Sequence, residues 1–193
     1  MKPKLLLASG SPYRRKQLEQ LGRAFEWQAA NIDETPAANE SPAELAQRLG
    51  LGKARALAGR KNYLIIAGDQ TAALNALILG KPDNAEQACL QLQRCAGQSV
   101  TFYSSICVLD SNTGNWLSDV IATEVTFRQL SERQIQRYVE LEQPLDCAGS
   151  FKCEALGIAL FDAIRSDDPS ALIGLPLIRL TQLLYQFNYD ILL

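Results

Sequence analysis

The sequence predicts an α/β fold built on a mixed, twisted sheet with flanking helices, and three observations predict it. Short apolar runs alternate with capped helical stretches along the chain. One pair of long β-rich runs, residues 100–109 and 117–127, is joined by Asn112-Thr113-Gly114-Asn115 and reads as an antiparallel hairpin inside that alternating series. The chain has 193 residues, 47% of them hydrophobic, enough to bury a sizeable core, and no repeat, low-complexity tract or linker divides it. The expected organisation is one domain over residues 1–193.

Each element has a local reason. Residues 4–8 form an apolar run expected as a first, buried strand. Ser11-Pro12 places an N-cap before Pro at the first helical position, so a helix follows to about Leu21, ended by Gly22. Residues 25–29 read as a short strand and 30–40 as a polar loop. Ser41-Pro42-Ala43-Glu44 is a capping box that starts a helix to about Ala58. Tyr63 to Ala67 is an apolar strand that runs into Gly68-Asp69-Gln70. A helix begins at Asp83–Glu86 and reaches about Arg94, and the hairpin follows. Ser131 to Gln134 is a second capping box, for a helix to about Glu140, and a last helix runs from near Pro176 to about Gln186.

Composition excludes several chemistries. There is no histidine, so Ser-His-Asp and Cys-His triads and HExxH zinc sites are not available. Acid–base work must fall to carboxylates, Lys, Tyr or Cys, and a metal must be held by oxygen or thiolate. The formal charge of -2 argues against broad nucleic-acid binding. No apolar run approaches a membrane span, and the apolar start is too short for a signal peptide, so a cytoplasmic protein is expected. The five cysteines, Cys89, Cys95, Cys107, Cys147 and Cys153, are odd in number and form no CxxC pair. They read as reduced, mostly buried thiols.

Several constellations could carry chemistry. Ala8-Ser9-Gly10-Ser11-Pro12-Tyr13-Arg14-Arg15 joins a strand to a helix start, whose N–H groups and dipole favour an anion. Arg14 and Arg15 oppose that dipole, which suits a polyphosphate in front of them; a solvated Arg pair is the plain alternative. Asp69 follows a central strand, a common catalytic position, though an Asp also caps and turns chains. Asp33-Glu34 sits in a loop and with Asp69 could form a hard oxygen site for a magnesium-type ion. Lys53, Lys81 in Gly80-Lys81-Pro82, and Glu154 in the Gly-bounded run Gly149 to Gly157 each read alone as surface residues.

The order of these segments is more specific than any one of them. ASGSPYRR, then DETP, a helix lysine, a strand with GDQ, GKP, GSFKCEA and GLPL together resemble the Maf family of nucleoside triphosphate pyrophosphatases, over about Lys4 to Phe187. The resemblance implies an inosine triphosphate pyrophosphatase-like fold with two lobes around a central cleft. It also implies hydrolysis between the α- and β-phosphates. Carried onto this chain, it makes Asp69 the proton acceptor and, with Glu34, a ligand of a divalent cation such as magnesium, manganese or cobalt. It makes Ser9, Arg14, Arg15, Lys53 and Lys81 the triphosphate binders, and it makes a homodimer plausible.

At the positions that set the substrate, Tyr13, Gln70 and Glu154 look like the 7-methyl-GTP pyrophosphatase subfamily. Tyr13 stands where that subfamily usually has Trp, and Ala67-Gly68 stands where it has Gly-Ser. Methylation at N7 puts positive charge on guanine, which strengthens stacking on an aromatic face. A carboxylate can accept from the guanine N1–H and N2–H groups while offsetting that charge. The rivals are a pyrophosphatase for other modified purines or for dTTP and UTP, and a nucleotide-binding regulator of cell division without turnover.

Overall fold

A computed structural model describes residues 2–193. Its centre is β3, Tyr63–Ala67, five buried residues with no polar side chain but one phenol. β1, Lys4–Leu7, lies parallel to β3 on one side and to β2, Phe25–Trp27, on the other. The parallel steps are made by helices α1, Pro12–Glu19, and α2, Pro42–Ala56. Both start as their caps dictate: the Ser11 and Ser41 hydroxyls accept the N–H of Arg14 and Glu44, and Ser41 and Glu44 form the full capping box.

The second half is antiparallel. β6, Ser99–Asp110, and β7, Trp116–Phe127, form the expected long hairpin, with Gly114 at φ 78° in its turn. Three strands have weaker signals in the sequence. Gln70–Leu74 (β4) and Leu77–Leu79 (β5) form a tight hairpin around Asn75, which takes a positive φ of 54°. Phe161–Ser166 (β8) pairs with β7 at the sheet's edge. Helices α3, Ala85–Cys95, α4, Glu132–Glu142, and α5, Leu177–Gln186, fall within two residues of their expected bounds. Among the described residues no helix is long and apolar enough to cross a membrane.

β6 is shared by two lobes, because its ends face different cores. Its late half continues the parallel part of the sheet. There Leu5, Leu64, Ile66, Ile106 and Val108 point towards α5, while Leu6, Ile65, Ala67, Cys107 and Leu109 point towards α2. That is the period of two expected for strands covered on both faces. Its early half supplies Val100 and Phe102 to another cluster, with Leu92 and Cys95 of α3 and Ile135 and Val139 of α4. Phe151 sits in this cluster with its ring edge-on to Phe102, Phe127 and Phe161, at centroid distances of 4.8–5.7 Å. The cleft opens where the two cores part along β6.

Candidate active site

The chain crosses from one lobe to the other at Gly68-Asp69. Ala67 pairs with Cys107 and Gln70 with Ser104, so β3 and β4 keep one register along β6, broken only at these two residues. A side chain on Gly68 would bring a Cβ within 2.4 Å of the Ser105 carbonyl oxygen, so only glycine lets the chain pass this close. The break aims Asp69 into the cleft. Its Oδ1 receives a hydrogen bond from Lys53 Nζ at 2.6 Å, and the same ammonium lies 2.7 Å from Glu34 Oε1. Lys53 and Asp69 are almost fully buried, whereas Glu34 reaches in from a loop between β2 and α2. That loop is held by Arg48, which donates to Thr35 O and to both oxygens of Glu40.

Ser9, Tyr13, Arg14, Glu34, Lys53, Asp69, Gln70, Lys81 and Glu154 all line one cavity of about 670 Å³, large enough for a nucleotide. The first strand–helix turn supplies Ser9, whose Oγ accepts the Ser11 N–H at 3.1 Å and keeps its own proton free to donate. Arg14 is steered by its Nε, which donates to Gly174 O at 2.8 Å. Gly174 has φ 127° and would place a Cβ 3.3 Å from that nitrogen, which explains the glycine of the GLPL segment. Burial pushes the Arg14 guanidinium down from its usual range while Asp69 and Glu34 push it back up. Lys81 is exposed at the rim, returned to the cleft by the β4–β5 hairpin. Arg15 stands apart: its guanidinium lies over the Trp27 ring, 4.5 Å from the centroid, and is not among the lining residues.

The residues expected to face the base are also there. Gln70 Nε2 donates to Ser104 Oγ, Ala171 O and Leu172 O at 2.9–3.0 Å. Two of those partners are carbonyls and can only accept, so the amide orientation is fixed and Gln70 offers a ligand its Oε1 alone. Glu154 is exposed at the cavity edge and accepts from the Cys153 thiol. The Tyr13 hydroxyl donates to Asp146 Oδ2 at 2.9 Å, and Asp146 lines the cavity too. Asp146 is not singled out by the sequence, because its partner is 133 residues away. Cys147 and Cys153 also line the cavity, and burial first among other causes pushes both thiols up to about 12, so neither is a ready nucleophile. Cys95 and Cys107 are buried as expected, and all five cysteines are free.

Among the described residues no cluster of three or more Asp, Glu, Cys or His side chains is arranged to hold a metal. What the cleft offers is a pair of hard oxygen donors, Asp69 and Glu34, converging on one ammonium. That donor set suits an ion that completes its shell with water and phosphate oxygens.

Comparison with known proteins fits this arrangement. The Maf-like protein family matches residues 4–187. The chain belongs to the Maf family. Three relatives are each called 7-methyl-GTP pyrophosphatase. The Nitrosococcus oceani protein is 49% identical over 191 residues, covering 98% of this chain and 96% of its own. The Pseudomonas putida protein is 50% identical over 181 residues, covering 93% and 94%. The Aromatoleum aromaticum protein is 50% identical over 182 residues, covering 94% of each. In this Maf chain, then, Glu34, Lys53, Asp69 and the first strand–helix turn meet at one cleft, while Arg15 lies on Trp27 and Asp33, whose Oδ1 accepts the Thr35 N–H, is not among the lining residues expected with them.

Proposed function

We propose that this Maf protein is a nucleoside triphosphate pyrophosphatase that hydrolyses 7-methyl-GTP to 7-methyl-GMP and pyrophosphate, clearing a modified nucleotide from the cytoplasmic pool. One observation carries the reading: a single cavity joins a carboxylate set among cations, Asp69 with Lys53 and Arg14, to a wall that combines an aromatic ring with acceptors, Tyr13 with Gln70 Oε1 and Glu154. The names of the relatives support it.

The proposed chemistry needs no covalent intermediate. Ser9, Arg14, Lys53 and Lys81 hold and neutralise the triphosphate. Asp69 accepts the proton of the attacking water as the bond between the α- and β-phosphates breaks, and pyrophosphate leaves. Asp69 and Glu34 would hold a divalent cation, magnesium, manganese or cobalt, which supplies charge neutralisation at the phosphates. The base then meets a wall that accepts hydrogen bonds and carries negative charge. Guanine has a two-donor edge and uracil does not, and N7-methylation adds the positive charge that such a wall favours.

The test is pyrophosphate release from a panel of 7-methyl-GTP, GTP, UTP and dTTP with each of the three metals. The expected result is preference for 7-methyl-GTP, and loss of turnover by about 10²-fold or more in Asp69→Asn with the fold retained. Preference for UTP overturns the substrate assignment, and unchanged activity in Asp69→Asn overturns the mechanism.

A further inference from the structure

The Tyr13–Asp146 hydrogen bond crosses the cleft. Tyr13 lies in the first turn of α1, in the lobe of the parallel strands. Asp146 lies between α4 and β8, in a segment fastened to the other core by Phe151. Asp146 is tethered within its own lobe as well. Its Oδ1 accepts from the Cys147 thiol at 3.5 Å and lies 3.7 Å from Lys152 Nζ, and that ammonium is itself anchored on Glu142 O. The acceptor is therefore held before Tyr13 reaches it.

Two consequences follow for the ring. Its one donor is spent on Asp146, so Tyr13 can offer a ligand its π-face but no hydroxyl proton. A phenol that donates to a carboxylate is also richer in electron density, which strengthens its attraction for a cation over its face. The hydroxyl stays protonated: burial, then the bond to Asp146, pushes Tyr13 above its ordinary value.

We propose that Asp146 is a positioning residue for base recognition, which fixes the Tyr13 ring across the cleft and biases it towards a positively charged base. The inference rests on the proposed reading of Tyr13 as the base-facing residue. It assigns Asp146 no contact with the reacting phosphates.

The experiment compares Asp146→Ala, which leaves the Tyr13 hydroxyl no acceptor, Tyr13→Phe and the double variant with the wild-type enzyme. It reads KM and kcat for 7-methyl-GTP and GTP, and inhibition by inorganic tripolyphosphate, which has no base. Each single variant is expected to raise KM for 7-methyl-GTP by about three- to tenfold, a loss typical of one partly exposed hydrogen bond. GTP suffers less, so the preference for the methylated base shrinks. The double variant loses no more than either single one, because both remove the same bond. Tripolyphosphate inhibition stays as in the wild type. Multiplying losses in the double variant, or an unchanged KM in Asp146→Ala, overturns the proposal. So does a matching loss of tripolyphosphate inhibition, because it marks a general structural defect. If the wild-type enzyme prefers another triphosphate, the substrate reading fails. The coupling between Tyr13 and Asp146 is then read on that preferred substrate and stands or falls by the same outcomes.

Discussion

The Ser105 hydroxyl accepts the backbone N–H of Asp69 at 2.9 Å, taking the place of a ladder carbonyl where β3 passes into β4. The same hydroxyl donates to Ala46 O of α2 at 2.6 Å. It touches that helix where Gly50 leaves room: a Cβ on Gly50 would lie 2.4 Å from Ser105 Oγ. One buried hydroxyl thus sets both the break that aims Asp69 and the approach of the helix that carries Lys53. Ser105→Ala leaves the buried Asp69 N–H unpaired and strips Ala46 O of the bond it accepts beyond its helical one. It is expected to cost about 1–3 kcal/mol of stability and to lower kcat more than it raises KM, since the aspartate loses its register. Denaturant unfolding and steady-state kinetics check both parts.

Lys53 sits between two carboxylates, 2.6 Å from Asp69 and 2.7 Å from Glu34. Replacing it with Met leaves Asp69 charged and without its partner in a nearly buried position. The expected loss is about 2 kcal/mol, below the range for a sealed pair because the cavity wets the carboxylate. The double variant Lys53→Met with Asp69→Asn removes the stranded charge as well. It should regain most of that stability and none of the activity. Thermal unfolding with a pyrophosphate-release assay tests the split. A double variant no more stable than Lys53→Met would show that the pair is not the source of the loss.

What was legible in the sequence was local. The capping boxes at Ser41/Glu44 and Ser131/Gln134 form as written, because each needs only residues three apart. β4 and β5 carry mostly Ala and Leu, which favour helix as much as strand, and only the pairing of β4 with β6 and of β5 with β4 makes them extended. β8 is an edge strand without a clean alternation, since apolar Ile164 stands with Asp162 among its exposed residues. The same limit governs the site. Asp69, Lys53 and Glu34 are recognisable by type and order, but their meeting at one ammonium is a tertiary fact. Arg14 and Arg15 read alike as neighbours. On a helix they point about 100° apart, so Arg14 enters the cleft and Arg15 lies on Trp27.

Glu40 gives a pH dependence. Hydrogen bonds from Arg48, then from the Ala37 N–H, hold its carboxyl at about 2, against an ordinary 4.5. A carboxyl depressed in the folded state stabilises it fully above the unfolded value and loses that effect as pH falls towards the folded one. The contribution is therefore complete above about pH 4.5 and fades between there and about 2. Glu40→Gln should be less stable than wild type at neutral pH, with the gap closing across that window. Because Arg48 also holds Thr35 O, the variant should loosen the loop that presents Glu34. Unfolding midpoints at about pH 7, 4, 3 and 2 follow the gap.

Gln70 allows a test in which shape is conserved and polarity is not. Its Nε2 faces Ala171 O and Leu172 O, both acceptors without a proton to give, and Ser104 Oγ also donates to Ala171 O at 2.7 Å. Gln70→Glu keeps the outline of the side chain but sets a carboxylate oxygen against two carbonyl oxygens. The variant must either take up a proton or turn away. Either way it should lose about 1–3 kcal/mol, the cost of buried acceptors left without donors. Binding should change in a related way. If the introduced carboxyl protonates to satisfy the carbonyls, its outward oxygen still accepts, and a guanine substrate keeps its partner at low pH. As pH rises and the group ionises, the loop from Ser170 to Leu175 loses one of its anchors, and KM for the preferred purine triphosphate should climb with it. A pH profile of KM for Gln70→Glu beside the wild type reads this directly. A variant as stable as the wild type and with a flat KM profile would mean that the amide's orientation carries no weight in the cleft.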